Sequence, residues 1–409
     1  MMKKSQILAL VLVFCMAFVT LAGCAQKPTE TTPAETSNAP TETTAPTTAA
    51  TDAATDASAL DKSSLVPHKI GVIFYGKDDP FAANVYRQVN RAGELLNCDI
   101  TWAFGSMDPN DQITDAQNLI AAGVEGIMCV PLGEIATQKI MQLCEAKGVY
   151  FSICFRNIVD DEIRNEVQAS SYWVGNSTED NYNVGADIMQ ILHDQGATKV
   201  GLLLGVGEQS YEVERNQAFY DKAEELGMEV LAEATPLIGT NDAQSATENF
   251  LTSYPEMDGI AVTCGATGQG EIIVAAVERL NKAGQVKVGM CDTFTNMQDA
   301  YEKGSVSATA GGFSLDGFFN FMWLYNSVDG YPLSDKTDLD LIQNVIYVTS
   351  AEECEAYNKY IDTPDFDIYT DEEILSLVKR LNPDMNHAAM QEIMQEYNLD
   401  YVVNKAKSR

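Results

Sequence analysis

The stretch KIGVIFYGKDDPFAANVYRQVNRAGELL, from Lys69 to Leu96, decides the fold class. It begins with an apolar run that suits a buried strand, passes through a polar loop, and continues as an amphipathic pattern typical of a helix. The apolar runs DITWAF, EGIMCVP, VYFSICF and YWVG follow it in turn, separated by further amphipathic segments. Strands that alternate with helices in this way predict a parallel sheet covered by helices on both faces.

A second series of the same kind starts with a predicted helix at residues 179–195. It contains the runs KVGLLLG, MEVLAEA, DGIAVTC, VKVGMC and SVSATAG, again with helical patterns between them. The two series together occupy roughly 280 residues, more than one hydrophobic core usually organises. The sequence therefore predicts an α/β protein with two doubly wound parallel-sheet lobes.

The N-terminus predicts export from the cytoplasm. MMKK precedes an apolar run, Ile7 to Ala22, that is too short for a comfortable membrane span. The run ends in LAGC, which resembles the lipobox of bacterial lipoproteins and would place a lipid on Cys24. An ordinary signal peptide with a chance cysteine is the alternative. If the resemblance holds, residues 1–23 are a signal peptide and the mature protein is anchored to a membrane rather than spanning it.

The segment at residues 24–65 predicts a disordered tether. It consists largely of Thr, Ala, Pro, Glu, Asp and Ser, a composition that cannot bury a core. A flexible chain of this length reaches roughly 35 Å, so it would hold a folded domain off a bilayer.

The net charge of the chain argues against nucleic acids as partners. Lys and Arg number 26 against 59 Asp and Glu, which gives a formal net charge of -33. Such a surface repels phosphate backbones, so nucleic-acid binding is not expected.

Cysteine and histidine patterns predict no metal site and no metal cofactor. The chain has nine cysteines, of which Cys15 lies in the signal peptide and Cys24 at the lipid anchor, and three histidines, with neither a CxxC nor an HExxH motif. The seven remaining cysteines cannot all pair, and thiols within apolar strand patterns behave as small buried hydrophobes. Four of them have such a position: Cys129, Cys154, Cys264 and Cys291.

Candidate ligand-binding residues follow the predicted strands, because open parallel sheets bind ligands beyond the carboxyl ends of their strands. These positions combine carboxylates, guanidinium groups and aromatic rings, which suits a polyhydroxylated small molecule. The candidates are Asp79, Phe81, Phe155, Arg156, Arg215, Gly265, Asp292 and Phe313.

Four strings carry a family resemblance through their order and spacing: KIGVIFYGKDDPF, DPNDQITDAQNLIAAGVEGIMCVP, YEVERNQAFYDKAEELGMEV and VKVGMCDTFTNMQDAYEKGSVSATAGG. From about residue 68 to 350 the chain resembles the type I periplasmic binding proteins of the sugar-binding kind, the solute-binding components of ABC importers. The resemblance implies two α/β lobes joined by three crossing segments, with the ligand enclosed when the lobes close. It also implies a monomer that binds a sugar or polyol and delivers it to an ABC permease, without a cofactor.

The same resemblance assigns roles to individual residues. Asp79, Pro80 and Phe81 take the place of a usual Asn-Pro-Phe, Arg156 keeps a guanidinium, and Arg215 and Asp292 match polar residues of the second lobe.

Three positions depart from the family pattern. Phe155 replaces an aspartate, and Gly265 and Gly311 replace an asparagine and a glutamine. These departures predict a larger or less polar pocket than that of ribose-type proteins, with room for purine nucleosides or furanosyl compounds.

Competing functions leave weaker signals. TCGATGQGE, residues 263–271, has the strand, glycine loop and helix order of a dinucleotide site, but no ribose-reading carboxylate is placed after the next strand in the way that such a site needs. An exported α/β enzyme would need a motif such as a GxSxG elbow or zinc ligands, and neither occurs. A sensor that presents the same ligand to a membrane receptor stays open, since sensing and transport use the same closure.

The predicted boundaries complete the organisation of the chain. The N-terminal lobe comprises 66–175 and 312–341, and the C-terminal lobe comprises 176–311 and 342–360. Residues 361–409 form a helical extension with a capping signal at Thr370 and an apolar face that includes Met394 and Tyr397. Packing against a lobe and docking of a partner are both open for this segment.

Overall fold

The computed structural model describes residues 62–409 apart from 106, 238, 337, 338 and 362. Cys24, the signal peptide and almost all of the tether lie outside the described residues, so these three stay predictions. In the part that is described, every helix is too short or too polar to cross a membrane.

The described residues form twelve strands and fourteen helices, preceded by a 3-10 turn at Lys62–Ser64. The strands are β1 (His68–Phe74), β2 (Cys98–Phe104), β3 (Gly126–Cys129), β4 (Tyr150–Cys154), β5 (Trp173–Glu179), β6 (Lys199–Leu203), β7 (Glu229–Ala234), β8 (Gly259–Val262), β9 (Lys287–Cys291), β10 (Ala308–Gly311), β11 (Asp340–Gln343) and β12 (Ile346–Val348). The helices are α1 (Pro80–Leu95), α2 (Pro109–Ala121), α3 (Glu134–Glu145), α4 (Asp161–Ala169), α5 (Asn181–Asp194), α6 (Ser210–Leu226), α7 (Asp242–Ser253), α8 (Gln269–Arg279), α9 (Met297–Lys303), α10 (Leu315–Val328), α11 (Ala351–Tyr360), α12 (Asp371–Ser376), α13 (His387–Glu396) and α14 (Leu399–Ser408).

Two six-stranded sheets form the cores of two lobes. The first has the order β11-β5-β4-β3-β1-β2 and the second the order β12-β10-β9-β8-β6-β7, so the two sheets share one arrangement. The strands pair in parallel except β12, which runs antiparallel to β10. The chain passes between the sheets after β5, after β10 and after β11. The predicted fold, two parallel-sheet lobes joined by three crossing segments, is confirmed.

The first sheet extends beyond the lobe boundaries set at 175 and 341. β5 stays paired with β11 as far as Glu179 and Gln343, so both boundaries fall inside strands. The end of β5 reads NSTE, which is polar but buried, and its first residue, Asn176, bonds to the side chain of Asn157. A polar strand end shows no apolar pattern, so the sequence gives no signal for the last four residues of β5.

Helix α10 lies buried on all sides. Thirteen of its fourteen residues are buried, because one face packs on β4 and β5 while another is covered by the extension. Phe318 stacks on Tyr369 at 5.8 Å between ring centres, and Asn326 donates to the carbonyl of Leu377. A helix that is apolar all round needs such cover on every face.

The C-terminal extension contacts both lobes and the third crossing segment. Thr370 and Glu373 form the predicted capping box of α12, and Arg91 of α1 pairs with Asp371. Helix α13 lies along β11, where Gln391 both accepts from and donates to the backbone of Ile342. Helix α14 packs against α11 of the second lobe.

The seven cysteines of the described part are all free and buried. Burial raises the pKa of the Cys144 thiol to about 12 and that of Cys291 to about 12 as well. Thiols held in this state are unreactive and pack as small apolar side chains.

Candidate functional site

The carboxyl ends of both sheets face one cleft. Asn157, which follows β4, donates its amide N-H to Ser210 Oγ at 2.9 Å and its side-chain amide to Glu214 Oε1 at 2.9 Å. Gln209, at the start of α6, reaches back to the carbonyl of Leu132. These hydrogen bonds join the two lobes at the rim of the cleft, beside a cavity of about 200 Å³ that Arg156 also lines.

Arg215 is the most constrained charged residue of the cleft. It lies on α6, is buried, and donates through Nε to Asn181 Oδ1 at 2.9 Å. Its Nη1 donates to the carbonyl of Thr263 at 3.1 Å and to Asp292 Oδ2 at 3.2 Å. The Asp292 carboxylate and other acidic neighbours raise the pKa of Arg215 against the effect of burial. The guanidinium is therefore fixed in one orientation and permanently charged.

Asp292 stands directly after β9 with a left-handed backbone, φ 74°. Its side chain is 19% exposed, so it pairs with Arg215 and still faces the cleft. Asp292 does not cap the helix that follows it, because the cap position of α9 is taken by Asn296.

Arg156 and Arg215 approach one aromatic ring from different lobes. The guanidinium of Arg156 lies 4.5 Å from the centre of the Tyr211 ring and that of Arg215 lies 5.0 Å from it. Arg156 also bonds to Gln209 Oε1 and to the carbonyl of Phe155. This arrangement forms a cationic and aromatic wall, on which a polar ligand ring can both stack and accept hydrogen bonds.

Asp79 caps helix α1 and lies near the cleft. Its Oδ1 accepts from the amide of Ala82 at 2.9 Å and so caps α1. Tyr75 bonds to the same carboxylate, and burial first, then Asp79, raises the pKa of the Tyr75 hydroxyl. The charges of Arg156, which follows β4, and of Asp292, which follows β9, also affect the pKa of Tyr75, so this tyrosine lies near residues of both lobes.

Phe81 and Phe155 form an aromatic cluster under the cleft. Their ring centres are 5.2 Å apart in an edge-to-face arrangement, and Phe155 also contacts Phe74. Phe155 is buried and has φ 62°, an unusual backbone for a bulky residue, held by hydrogen bonds from its amide to Ser177 and Asp316. Phe81 is only partly buried and packs against apolar clusters of both lobes.

Phe313 sits on the other side of Arg215. Its ring is buried in the apolar cluster of the second lobe, and the guanidinium lies 5.4 Å from its centre. The buried ring therefore packs against Arg215 and offers little exposed surface to a ligand.

The two glycines expected to enlarge the pocket leave no open space, which corrects that expectation. A Cβ at Gly265 would lie 3.2 Å from the carbonyls of Cys291 and Asp292, so glycine is needed there for close backbone approach. A Cβ at Gly311 would lie 2.5 Å from the hydroxyl of Tyr357. The tyrosine of α11 fills the space that the family's glutamine would use, and its hydroxyl accepts from the amide of Gly312 at 2.7 Å.

Restoring the family residue, Gly311→Gln, is therefore expected to destabilise the protein by about 1–3 kcal/mol through overpacking against Tyr357. Thermal unfolding measures the loss. The matched control is Gly76→Gln, because a Cβ there meets nothing within 4 Å. Combining Gly311→Gln with Tyr357→Ala should cost less than the sum of the single changes, and strict additivity would show that the two side chains do not compete.

Two buried acidic residues near Arg156 were not predicted from the sequence. Glu179 ends β5 and Asp316 lies in the first turn of α10, and both are buried. Asp316 Oδ2 accepts the amide of Phe155 at 2.7 Å, so a carboxylate stands beside the position where the family carries an aspartate. Two signals in the sequence could have indicated these residues. Glu179 is an acidic residue at the end of a strand, and Asp316 is an acidic residue within the apolar string LDGFFNFMWLY.

Comparison with known families assigns the chain to one of them. The sequence profile described as the periplasmic binding protein domain matches residues 70–314. The chain belongs to this family. Its members are binding proteins of the periplasm or the cell exterior, and the family predicted from the sequence is confirmed.

Solved structures share the fold at low sequence identity. A solute-binding protein from Actinobacillus succinogenes with bound D-allose has a TM-score of 0.62 at 17% identity, covering 71% of this chain and 100% of that one. A protein from Bacillus halodurans with bound myo-inositol gives 0.61 at 17%, covering 71% and 98%. A periplasmic ribose ABC transporter protein from Conexibacter woesei gives 0.61 at 18%, covering 72% and 95%. No curated protein matches the chain by sequence.

Proposed function

We propose that this family member captures a sugar or related polyol between its two lobes and delivers it to an ABC permease. One observation carries the proposal: Arg156 of the first lobe and Arg215 of the second converge on the ring of Tyr211. Planar guanidinium groups donate to adjacent hydroxyls, and aromatic faces cover the C-H face of a sugar. Structural neighbours crystallised with D-allose and myo-inositol support this ligand class.

The proposed mechanism is closure about the three crossing segments. A ligand that contacts both guanidinium groups interacts with both lobes at once, so it stabilises the closed state relative to the open state. The hydrogen bonds of Asn157 to Ser210 and Glu214 add direct lobe contacts in that state. The closed surface is then what a permease would recognise.

The proposal includes the site of action. A lipid on Cys24 and the tether that follows would hold the two-lobe domain at the outer face of a membrane. The arrangement needs no cofactor and no catalytic group, so we propose a binding protein rather than an enzyme.

Thermal unfolding of the mature protein against pentoses, hexoses, disaccharides, polyols and nucleosides tests the function. A compound at a hundred times its dissociation constant should stabilise the protein by about 2.7 kcal/mol, which raises Tm by several degrees. Mass spectrometry of the recovered compound should show it unchanged. A chemically altered compound would favour an enzyme, and a panel without any shift would contradict sugar binding.

A further inference from the structure

The C-terminal extension returns the chain to the first lobe. Helix α11 belongs to the second lobe, where it packs against α9, and the chain leaves this helix after Tyr360. The segment that follows lies on α1 of the first lobe. Arg87 donates to the carbonyl of Thr363 at 3.1 Å, and Arg91 donates to the carbonyl of Tyr369 at 2.8 Å. This is a fourth passage between the lobes, in addition to the three crossing segments.

A fifth passage takes the chain back to the second lobe. Helix α13 lies along β11, which belongs to the sheet of the first lobe. Helix α14 packs against α11 of the second lobe, and only Tyr397 and Asn398 separate α13 from α14. The extension therefore starts and ends on the second lobe and is fixed to the first lobe in between.

Ion pairs join the part of the extension on the first lobe to the part on the second. Helix α12 is fixed to α1 by the ion pair of Arg91 with Asp371 at 2.7 Å. Glu373 of the same helix pairs with Lys405 at 2.6 Å and with Arg409 at 3.2 Å, in α14 and directly after it. We call Glu373, Lys405 and Arg409 the clasp, because they connect an element held by one lobe to an element held by the other.

The clasp is partly shielded from water. The side chain of Lys405 is only 12% exposed, and its ammonium lies 4.4 Å from the centre of the Tyr369 ring. Burial raises the pKa of Glu373, but hydrogen bonds from Lys405 and the amide of Thr370, together with the charges of Lys405 and Arg409, lower this pKa by more. Glu373 is therefore ionised at neutral pH, and the clasp is an attraction between full charges that salt weakens.

The clasp and the closed cleft occur in the same state of the molecule. At the rim of the cleft, the amide of Asn157 in the first lobe donates to Ser210 Oγ in the second at 2.9 Å. A hinge motion that separates these two residues rotates one lobe against the other, so it displaces α12 from α14 or pulls one of these helices off its lobe. Either way, the extension loses contacts when the cleft opens. Contacts that are made in only one of two states stabilise that state.

We propose that the clasp restrains the hinge, so that the protein without ligand keeps its lobes closed and opens only briefly. The inference goes beyond the proposed function, because it concerns the free protein and applies whatever the ligand is. Closure of this chain is stabilised by the extension as well as by the ligand, so less of the free energy of closure has to come from ligand contacts.

Hydrogen exchange in the protein without ligand tests the restraint. The amide of Asn157 is protected by a hydrogen bond between the lobes, so its exchange rate follows opening of the cleft. The double variant Lys405→Gln with Arg409→Gln breaks both ion pairs and keeps Glu373, which the capping box of α12 needs. We expect exchange at Asn157 to become about threefold faster or more, since each partly exposed ion pair shifts an equilibrium by up to about fivefold.

Two controls separate opening of the cleft from loss of stability. The amide of Phe155 bonds to the carbonyl of Ser177 within the first lobe, so its exchange should not change in the double variant. Lys303→Gln also removes two ion pairs, with Glu278 and Asp299, but these three residues all lie in the second lobe. This control variant should leave exchange at the rim amide unchanged.

Salt provides a second measurement, which the wild-type protein allows without any substitution. Raising NaCl from about 0.05 M to about 0.5 M screens the clasp and should speed exchange at Asn157. The double variant has no clasp to screen, so salt should speed its exchange less. Comparing the two proteins removes the effect of the other surface charges, because both proteins carry them.

Three results would overturn the inference. The first is unchanged exchange at Asn157 in the double variant, and the second is an equal salt response of the two proteins. The third is equal acceleration at Asn157 and Phe155, which would mean that the clasp only stabilises the fold. No ligand enters these experiments, so each of these results leaves the proposed function standing, and a thermal panel without any shift would leave the restraint standing.

Discussion

Replacing Arg215 with alanine is expected to weaken ligand binding by about thirtyfold or more. The change removes three hydrogen bonds and leaves Asn181 and Thr263 with buried acceptors that lack a donor. It also leaves Asp292 without its only ion pair within the described residues. Truncating one partner of a buried hydrogen-bonded charge pair costs about 2–5 kcal/mol, which corresponds to a loss of affinity of about thirtyfold or more. Calorimetric titration with the compound that gives the largest thermal shift measures it.

Two further variants make the Arg215 result specific. Arg279→Ala removes an exposed arginine on α8 that also forms an ion pair, with Glu248, and should change affinity less than threefold. Arg215→Lys keeps the charge but cannot donate in three fixed directions, so it should bind almost as poorly as the alanine variant. Wild-type affinity in Arg215→Ala would remove this residue from the binding site.

The sequence predicts the two sheets well where the strands are apolar. The runs that became β1, β3, β4, β6, β8 and β9 are continuous hydrophobic stretches, as strands buried on both faces should be. The end of β5 escapes this rule because two of its polar side chains bond to residues that are distant in the chain. Asn176 bonds to Asn157, and Ser177 receives a hydrogen bond from Asn320 on α10. Such long-range pairs leave no local pattern to detect.

Candidate site residues could be predicted from the sequence where they lie just after a strand or near the start of a helix. Arg215 and Asp292 are separated by 77 residues, and the structure brings them to 3.2 Å. The consequence of Gly311 was not predictable, because it depends on Tyr357, a residue of α11 whose hydroxyl lies 2.5 Å from where a Cβ of Gly311 would stand. The sequence indicates which side chain is missing there, but not which neighbour fills its space.

The C-terminal extension is the part of the chain whose role the sequence left open, and its contacts suggest that it holds the third crossing segment in place. Asn344 lies between β11 and β12, and it bonds to the carbonyls of Met394 and Tyr397. The Tyr397 ring is fully buried, and its hydroxyl lies 2.9 Å from where a Cβ of Gly312 would stand. One residue of the extension therefore packs between the second and third crossing segments.

Tyr397→Ala is expected to lower the free energy of unfolding by about 3–5 kcal/mol, the usual cost of removing a buried aromatic ring. The cavity would lie at the hinge, so the loss should be accompanied by faster hydrogen exchange at the amide of Ile342, which Gln391 of α13 protects. Tyr182→Ala, at an exposed tyrosine of α5, is the matched control and should change stability by less than about 1 kcal/mol. Equal stability of the two variants would mean that the extension is an appendage, whereas the expected difference makes residues 386–409 part of the hinge itself.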